Sequence, residues 1–251
     1  MYSPEAPLPP SETLPTMYDL PSEDPEEPGF PDEFHLFQPQ LLMETCQPPD
    51  YPQAQIFIGS DINLYYDSRN TGWYKRPDWF VSLGVERARQ QTDLRWSYVI
   101  WQESVAPFLV VELLSPGTEA DDLGQTLREV NQPPTKWQVY EHILRIPYYA
   151  LFDRYENNFR LFQIVGTRYE ELPLSGQYHW FEELKLGLGV WQGTYKGVEG
   201  AWLRWQSADG RWIPTDNEQV QVAQQAAETA QLKAERLAEK LRALGVDPES
   251  V

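Results

Sequence analysis

The sequence predicts a mixed α/β (α+β) domain built around one parallel pair of strands. Three observations predict it. Residues 108–114 form an apolar run of strand length, residues 135–144 read as a short helix, and residues 148–152 form a second apolar run. That is a strand, crossover helix, strand unit, and strands apolar on both faces belong in a covered parallel pair. Shorter strand patterns separated by turn residues lie on both sides of this unit, so antiparallel neighbours extend the sheet. The last stretch, residues 215–244, has the 3–4 spacing of a long helix and none of the domain's aromatic residues.

Residues 1–31 hold nine prolines and seven acids. Such a segment cannot bury enough apolar surface to offset its ordering entropy, so it reads as a disordered or extended tail. Residues 31–45 follow as a short helix entered through Asp32 and Glu33. Residues 56–66 read as a strand with a turn or bulge at Gly59-Ser60, and Asp61 stands just past it. Residues 73–83 read as a second strand, with Pro77 at an edge or bulge and Asp78 inside it. Residues 86–96 are a polar, basic loop, and residues 98–101 resume as strand against the sheet edge. Ser115-Pro116-Gly117 stops the central strand.

Beyond the central unit, residues 159–165 and 169–173 predict a hairpin across Gly166-Thr167. Trp191, Trp202, Trp205 and Trp212 suggest short packed antiparallel strands with turns at Gly193, Gly197 and Asp209-Gly210. Thr215 and Glu218 form a capping box that opens the final helix. Val220, Ala223, Ala227, Ala230, Ala234, Leu237, Leu241 and Leu244 then follow a heptad seam, and Gly245 and Pro248 end it. A period of 3.5 suits another helix better than a flat sheet. The expected organisation is a tail at 1–31, a domain at 32–214 and a heptad helix at 215–245, with a homodimer or higher oligomer formed through residues 220–244.

Composition bounds the function. The chain has 251 residues, and 34 of them are Phe, Trp or Tyr, ample for a single core. No apolar run reaches spanning length and no basic leader precedes an apolar segment, so no membrane span or signal peptide is expected. The lone Cys46 has no internal disulfide partner and reads as a small buried thiol, which fits a reducing, cytoplasmic compartment. Net charge is −18, of which −13 falls in the first 68 residues. A local basic cluster, Lys75, Arg76, Arg87, Arg89 and Arg95, is the nucleic-acid-binding candidate in an otherwise mildly acidic body. There is no glycine-rich phosphate loop and no Cys-x-x-Cys, and His35, His142 and His179 lack metal spacing.

The chemistry concentrates in strand acids. A carboxylate inside a buried strand costs several kcal/mol unless paired or metal-bound, about the range that polar burial demands. Glu112 and Asp78 meet that description, and Asp61 is a third, weaker case. Two or three carboxylates presented by neighbouring strands suit a hard divalent cation such as Mg²⁺, with Mn²⁺ as its usual substitute. Such an ion polarises a phosphoryl oxygen and acidifies a bound water. A nearby ammonium must then stabilise the developing charge or orient the water. Lys136, at the start of the crossover helix, is that candidate, with Tyr140 one turn further on the same face.

A proline-aspartate pair followed by an acid in an apolar strand resembles the PD-(D/E)xK nuclease pattern. The phrases DINLYYD, RPDWFVSLGVE, YVIWQE, VVELLSP and IPYYALFD, in this order, resemble Uma2 (DUF820) proteins of the type abundant in cyanobacteria. The resemblance covers residues 32–218. It implies a restriction-endonuclease-like mixed sheet core with flanking helices. It matches Asp78 and Glu112 to the two motif acids and makes the Leu113 carbonyl a metal ligand. Leu114 stands where the motif lysine is expected, so the resemblance moves that role to Lys136, with Ser115 as another polar candidate. Glu33 matches an N-terminal helical acid that completes some of these sites. The function expected is Mg²⁺-dependent hydrolysis of DNA phosphodiester bonds. The alternatives are an inactive scaffold acting through its coiled tail and a hydrolase of a smaller phosphodiester.

Overall fold

The computed structural model describes residues 32–115, 119–126 and 132–243. The tail at 1–31, the stop at Pro116-Gly117 and the helix end at Leu244, Gly245 and Pro248 lie outside the described residues. Helix α1 spans Glu33–Thr45 and is opened by Asp32, whose side chain accepts the His35 N–H. Strands β1 (Ile56–Gly59), β2 (Asn63–Tyr65), β3 (Tyr74–Lys75), β4 (Trp79–Leu83) and β5 (Ser97–Val99) follow. The short helix α2 (Ile100–Glu103) leads to the central strand β6 (Leu109–Leu113). Helix α3 (Glu119–Asp122) precedes α4, which starts as Lys136–Gln138 and continues as a π turn over Val139–Ile143. Then come β7 (Tyr148–Asp153), β8 (Asn158–Val165), β9 (Arg168–Glu171), β10 (Tyr178–Phe181), β11 (Leu186–Tyr195), β12 (Val198–Gln206) and helix α5 (Asp216–Ala243).

Six strands form the main sheet in the order β1-β4-β6-β7-β8-β9. The pair β6–β7 is parallel, joined through α4, and every other pair in this sheet is antiparallel. Strand alternation divides the core in two. Trp79, Val81, Leu109, Val111, Leu113, Ala150 and Phe152 pack with Leu42 of α1 and with Leu188, Leu203 and Trp205 of the β10-β11-β12 sheet. Phe80, Val110, Tyr149 and Leu151 pack with Val139 and Tyr140 of α4 and with Leu64 and Tyr98 of the small sheet β3-β2-β5. The main sheet is thus covered on both faces, which is why β6 and β7 are apolar throughout.

The central unit, the α1 entry, the hairpin across Gly166 and the capping box of α5 form as predicted. Four expectations need correction. Residues 56–66 are two strands in two different sheets, not one strand with a bulge. The corner forms at Gly59, where a Cβ would meet the Phe80 ring at 2.3 Å, and at Asp61, which adopts a left-handed φ of 53°. Residues 73–83 likewise split into β3 and β4. Pro77 cannot donate to a ladder, its carbonyl instead accepts the Asp61 N–H, and Asp78 lies just before β4 rather than within it. Residues 98–101 do not extend the main sheet: β5 pairs in parallel with β2 and runs directly into α2. Gly193 is no turn. It sits inside the long strand β11, where a Cβ would collide with the Trp191 ring, and the reversal falls at Lys196-Gly197.

Candidate active site

Two of the three acids predicted from the strands, Asp78 and Glu112, converge at the C-terminal end of β6. Glu112 shares the sheet face of Val110, toward α4, and its side chain is 0% exposed. Asp78, two residues before Phe80, approaches the same face from β4. The two are clasped reciprocally: the Asp78 N–H donates to Glu112 Oε2 at 3.3 Å, and the Leu113 N–H donates to Asp78 Oδ2 at 2.6 Å. The Tyr140 hydroxyl donates to Glu112 Oε1 at 2.9 Å.

Lys136 completes the group. Its Nζ lies 3.3 Å from Glu112 Oε2 and 2.6 Å from Asp122 Oδ1. The local sequence explains the placement. Thr135 caps α4 with Gln138 in a capping box, which fixes where the helix begins. The π turn advances the helix backbone by an extra residue between Val139 and Ile143, where Tyr140 points at Glu112. Gly124, at φ 70°, lets the end of α3 close on the Trp137 ring and brings buried Asp122 onto Lys136. Leu114, at the customary lysine position, packs instead into the apolar cluster beside α4. The ammonium beside Glu112 therefore comes from the helix and not from the strand.

Electrostatics leave the cluster short of positive charge. Burial, reinforced by Asp78 and Asp122, pushes Glu112 up to about 8 even though Lys136 and Tyr140 favour its ionised form. Burial also raises Asp78, again against the pull of Lys136 and of His35. Burial works against the Lys136 charge, but Glu112, Asp122 and Asp78 outweigh it and hold Lys136 charged. The raised Glu112 and Asp78 would each be drawn back toward the ionised form by a bound cation.

Two further residues belong here that the sequence reading did not single out. Asp122 is one, sitting in an acidic run that reads as solvated surface. His35 is the other: Nδ1 is 2.7 Å from Asp32 Oδ1 and Nε2 is 3.3 Å from the Leu113 carbonyl oxygen. With Asp32 and a carbonyl on its two nitrogens, the ring satisfies both contacts only as the doubly protonated imidazolium. Burial opposes that charge, but Asp32 and Asp78 lift His35 to about 8. A signal existed in the sequence, an Asp-x-x-His pair at a helix start.

Other candidates lie elsewhere. Asp61 is exposed and pairs with Arg76 at 2.7 Å. Glu33 is exposed in the first turn of α1. Ser115 is buried, and its carbonyl accepts the Glu119 N–H. Of the basic cluster, Arg95 pairs with Glu103 at 2.6 Å and lies over the Phe57 ring, and Arg89 is 3.9 Å from Glu86. Arg87 is exposed. Lys75 is half-buried; its pKa is lowered by burial, and it feels the charges of Asp121, Lys136 and Glu112.

Among the described residues no three His, Cys, Asp or Glu side chains form a closed metal cage. Asp78, Glu112 and the Leu113 carbonyl are an all-oxygen set, which fits a hard cation that keeps several waters.

A mixed sheet with one parallel pair, its acids at the end of the central strand and a lysine beside them, defines a restriction-endonuclease-like domain. The sequence model of the Uma2 family, described as "Putative restriction endonuclease", matches residues 18–192, and the chain belongs to that family. No curated protein matches the chain.

Proposed function

We propose that the protein is a divalent-metal-dependent endonuclease that hydrolyses DNA phosphodiester bonds. The observation that carries this reading is the buried clasp of Asp78 and Glu112 with Lys136 Nζ 3.3 Å from Glu112. Asp78, Glu112 and the Leu113 carbonyl would hold Mg²⁺, for which Mn²⁺ would substitute. When bound, the ion supplies Lewis-acid polarisation of a phosphoryl oxygen and a more acidic water. Lys136 orients the attacking water and stabilises the charge that develops on phosphorus-bound oxygen. Asp122 holds Lys136, and Tyr140 fixes the rotamer of Glu112. His35 orients the Leu113 carbonyl. Lys75, at the rim, attracts the phosphate.

The test is calorimetric titration of Mg²⁺ and Mn²⁺ into the wild type and into D78N/E112Q, followed by nicking of supercoiled plasmid. Metal binding and nicking that both vanish in the double variant are expected. Nicking that survives in the double variant would remove these acids from the mechanism.

One observation favours a second reading. The chain carries a net −18, and Arg76 and Arg95 are tied to Asp61 and Glu103. A binder that covers 6–10 duplex phosphates needs a broader basic surface, about one cation for each. A smaller phosphodiester needs less. Hydrolysis of bis(p-nitrophenyl) phosphate with no plasmid nicking would select that substrate class. No hydrolysis of either, with no metal bound, would select a scaffold.

A further inference from the structure

Helix α5 is 28 residues long and buries none of them. Only its first turn is anchored, by the Thr215–Glu218 capping box and by Arg204 paired with Glu218. The remainder presents its seam to solvent, with Val220 52% and Leu237 61% exposed. Helical stability in water comes mainly from packing an apolar stripe, and among the described residues nothing covers this one. We infer that α5 pairs with α5 of a second copy of this chain in an antiparallel coiled coil, with Ala223 against Leu241, Ala227 against Leu237 and Ala230 against Ala234.

The order of the seam residues selects the direction. In a parallel pair, identical residues meet, so Ala223, Ala227, Ala230 and Ala234 would give four successive alanine layers followed by leucine layers. Such a pair is thin over one half and thick over the other. Reversing one helix about the centre of the seam sets a leucine against an alanine in two successive layers at each end and leaves only the two central layers alanine against alanine, symmetrically placed. Charge selects the same direction. Residues 216–229 carry Asp216, Glu218 and Glu228 with no Lys or Arg. Residues 230–243 carry Lys233, Arg236, Lys240 and Arg242 against Glu235 and Glu239. In this register Glu228 of each helix lies level with Arg236 of the other, and the two helix dipoles are opposed. Parallel pairing would align acidic halves and dipoles alike.

This arrangement fixes where the domains go. In this register the two Thr215 residues stand about 50 Å apart along the axis, at 1.5 Å per residue. The pairing itself does not depend on the nuclease reading. Its consequence does: two hydrolytic sites would be held at opposite ends of a rod, not side by side over one duplex position.

The full chain decides the matter. Sedimentation at tens of micromolar should give a dimer, and L237D should give a folded monomer with an unchanged near-UV spectrum. Oxidised mixtures of A223C and L241C chains should yield a covalent dimer, while each variant alone should not. Cys46 is buried and does not compete. A wild-type monomer, a species larger than a dimer, self-cross-linking of A223C alone, or a dimer forming none of these cross-links would each overturn the assignment. None of these readouts needs catalytic activity, so failure here and failure of the nuclease reading are separate results.

Discussion

At the residue scale, the site turns on how one buried acid is tolerated. Glu112 was legible because a carboxylate in an otherwise apolar run demands a partner, and Lys136 was legible because a helix opening near that strand's end can supply one. Replacing Lys136 with Met removes an ammonium in contact with both Glu112 and Asp122. Breaking a buried pair in this way costs about 3–5 kcal/mol. A loss of unfolding free energy of that size is expected, together with at least a roughly 100-fold loss of hydrolysis. K136M/E112Q, with the buried carboxylate charge removed as well, should regain part of the stability and none of the activity. Calorimetry and a nicking assay on the same preparations check both. His35 makes a separate prediction for the metal-free protein. Its pKa is raised from 6.5 to about 8 by Asp32 and Asp78 acting against burial, with the Leu113 carbonyl on its other nitrogen and Arg154 beyond Asp32. A raised folded value means the contribution is complete below pH 6.5 and is lost as pH climbs through about 8. It amounts to about 2 kcal/mol, and H35Q should flatten the stability curve in that window. Glu112 has the same sign, so the readout is the difference between wild type and H35Q. An identical slope in the two proteins would show that His35 is not charged.

At the element scale, pattern reading succeeded where burial imposes a period and failed where the chain changes sheets. Residues 148–153 and 158–165 are held in one sheet, the first legible as a continuous apolar run and the second as a strand-length pattern. The corners at Gly59–Ile62 and Arg76–Asp78 leave one sheet for another, and nothing in a local window distinguishes a corner from a bulge. Asp78 lies at such a corner, which explains why the sequence placed it inside a strand. Asp122 escaped notice because a four-residue helix of mostly acidic residues has no apolar period. Its burial depends on the approach of α3 to α4. That approach needs Gly124, both for its left-handed φ of 70° and because a Cβ would lie 2.7 Å from the Trp137 ring. G124A should therefore cost more than the ~1–2 kcal/mol of the backbone term alone. It should also lower kcat more than KM, since Asp122 no longer holds Lys136. T135A removes the cap of α4 and should cost about 1 kcal/mol in chemical denaturation, with a smaller effect on turnover.

At the scale of the whole molecule, most of the acidity lies in the first 68 residues, while the surface beside the site is mixed in sign. Trp96 is 96% exposed between Arg95, which is locked to Glu103 and over Phe57, and strand β5. The register Ser97–Asn63 and Leu64–Lys75 puts Trp96 at the end of the small sheet from which the chain proceeds through Arg76 to Asp78. A solvent-facing indole at that end is suited to stack on a base, a contact worth about 1–3 kcal/mol. W96A should accordingly weaken binding to single-stranded DNA about 5- to 150-fold, with metal affinity at Asp78 and Glu112 unchanged. R87A/R89A should instead lower the salt dependence of binding, since those side chains would neutralise phosphates rather than stack. Fluorescence anisotropy of a labelled oligonucleotide, titrated at several salt concentrations, separates the two behaviours. Equal anisotropy curves for wild type and W96A would leave the exposed indole to a protein partner, and the small-phosphodiester reading would gain from that result.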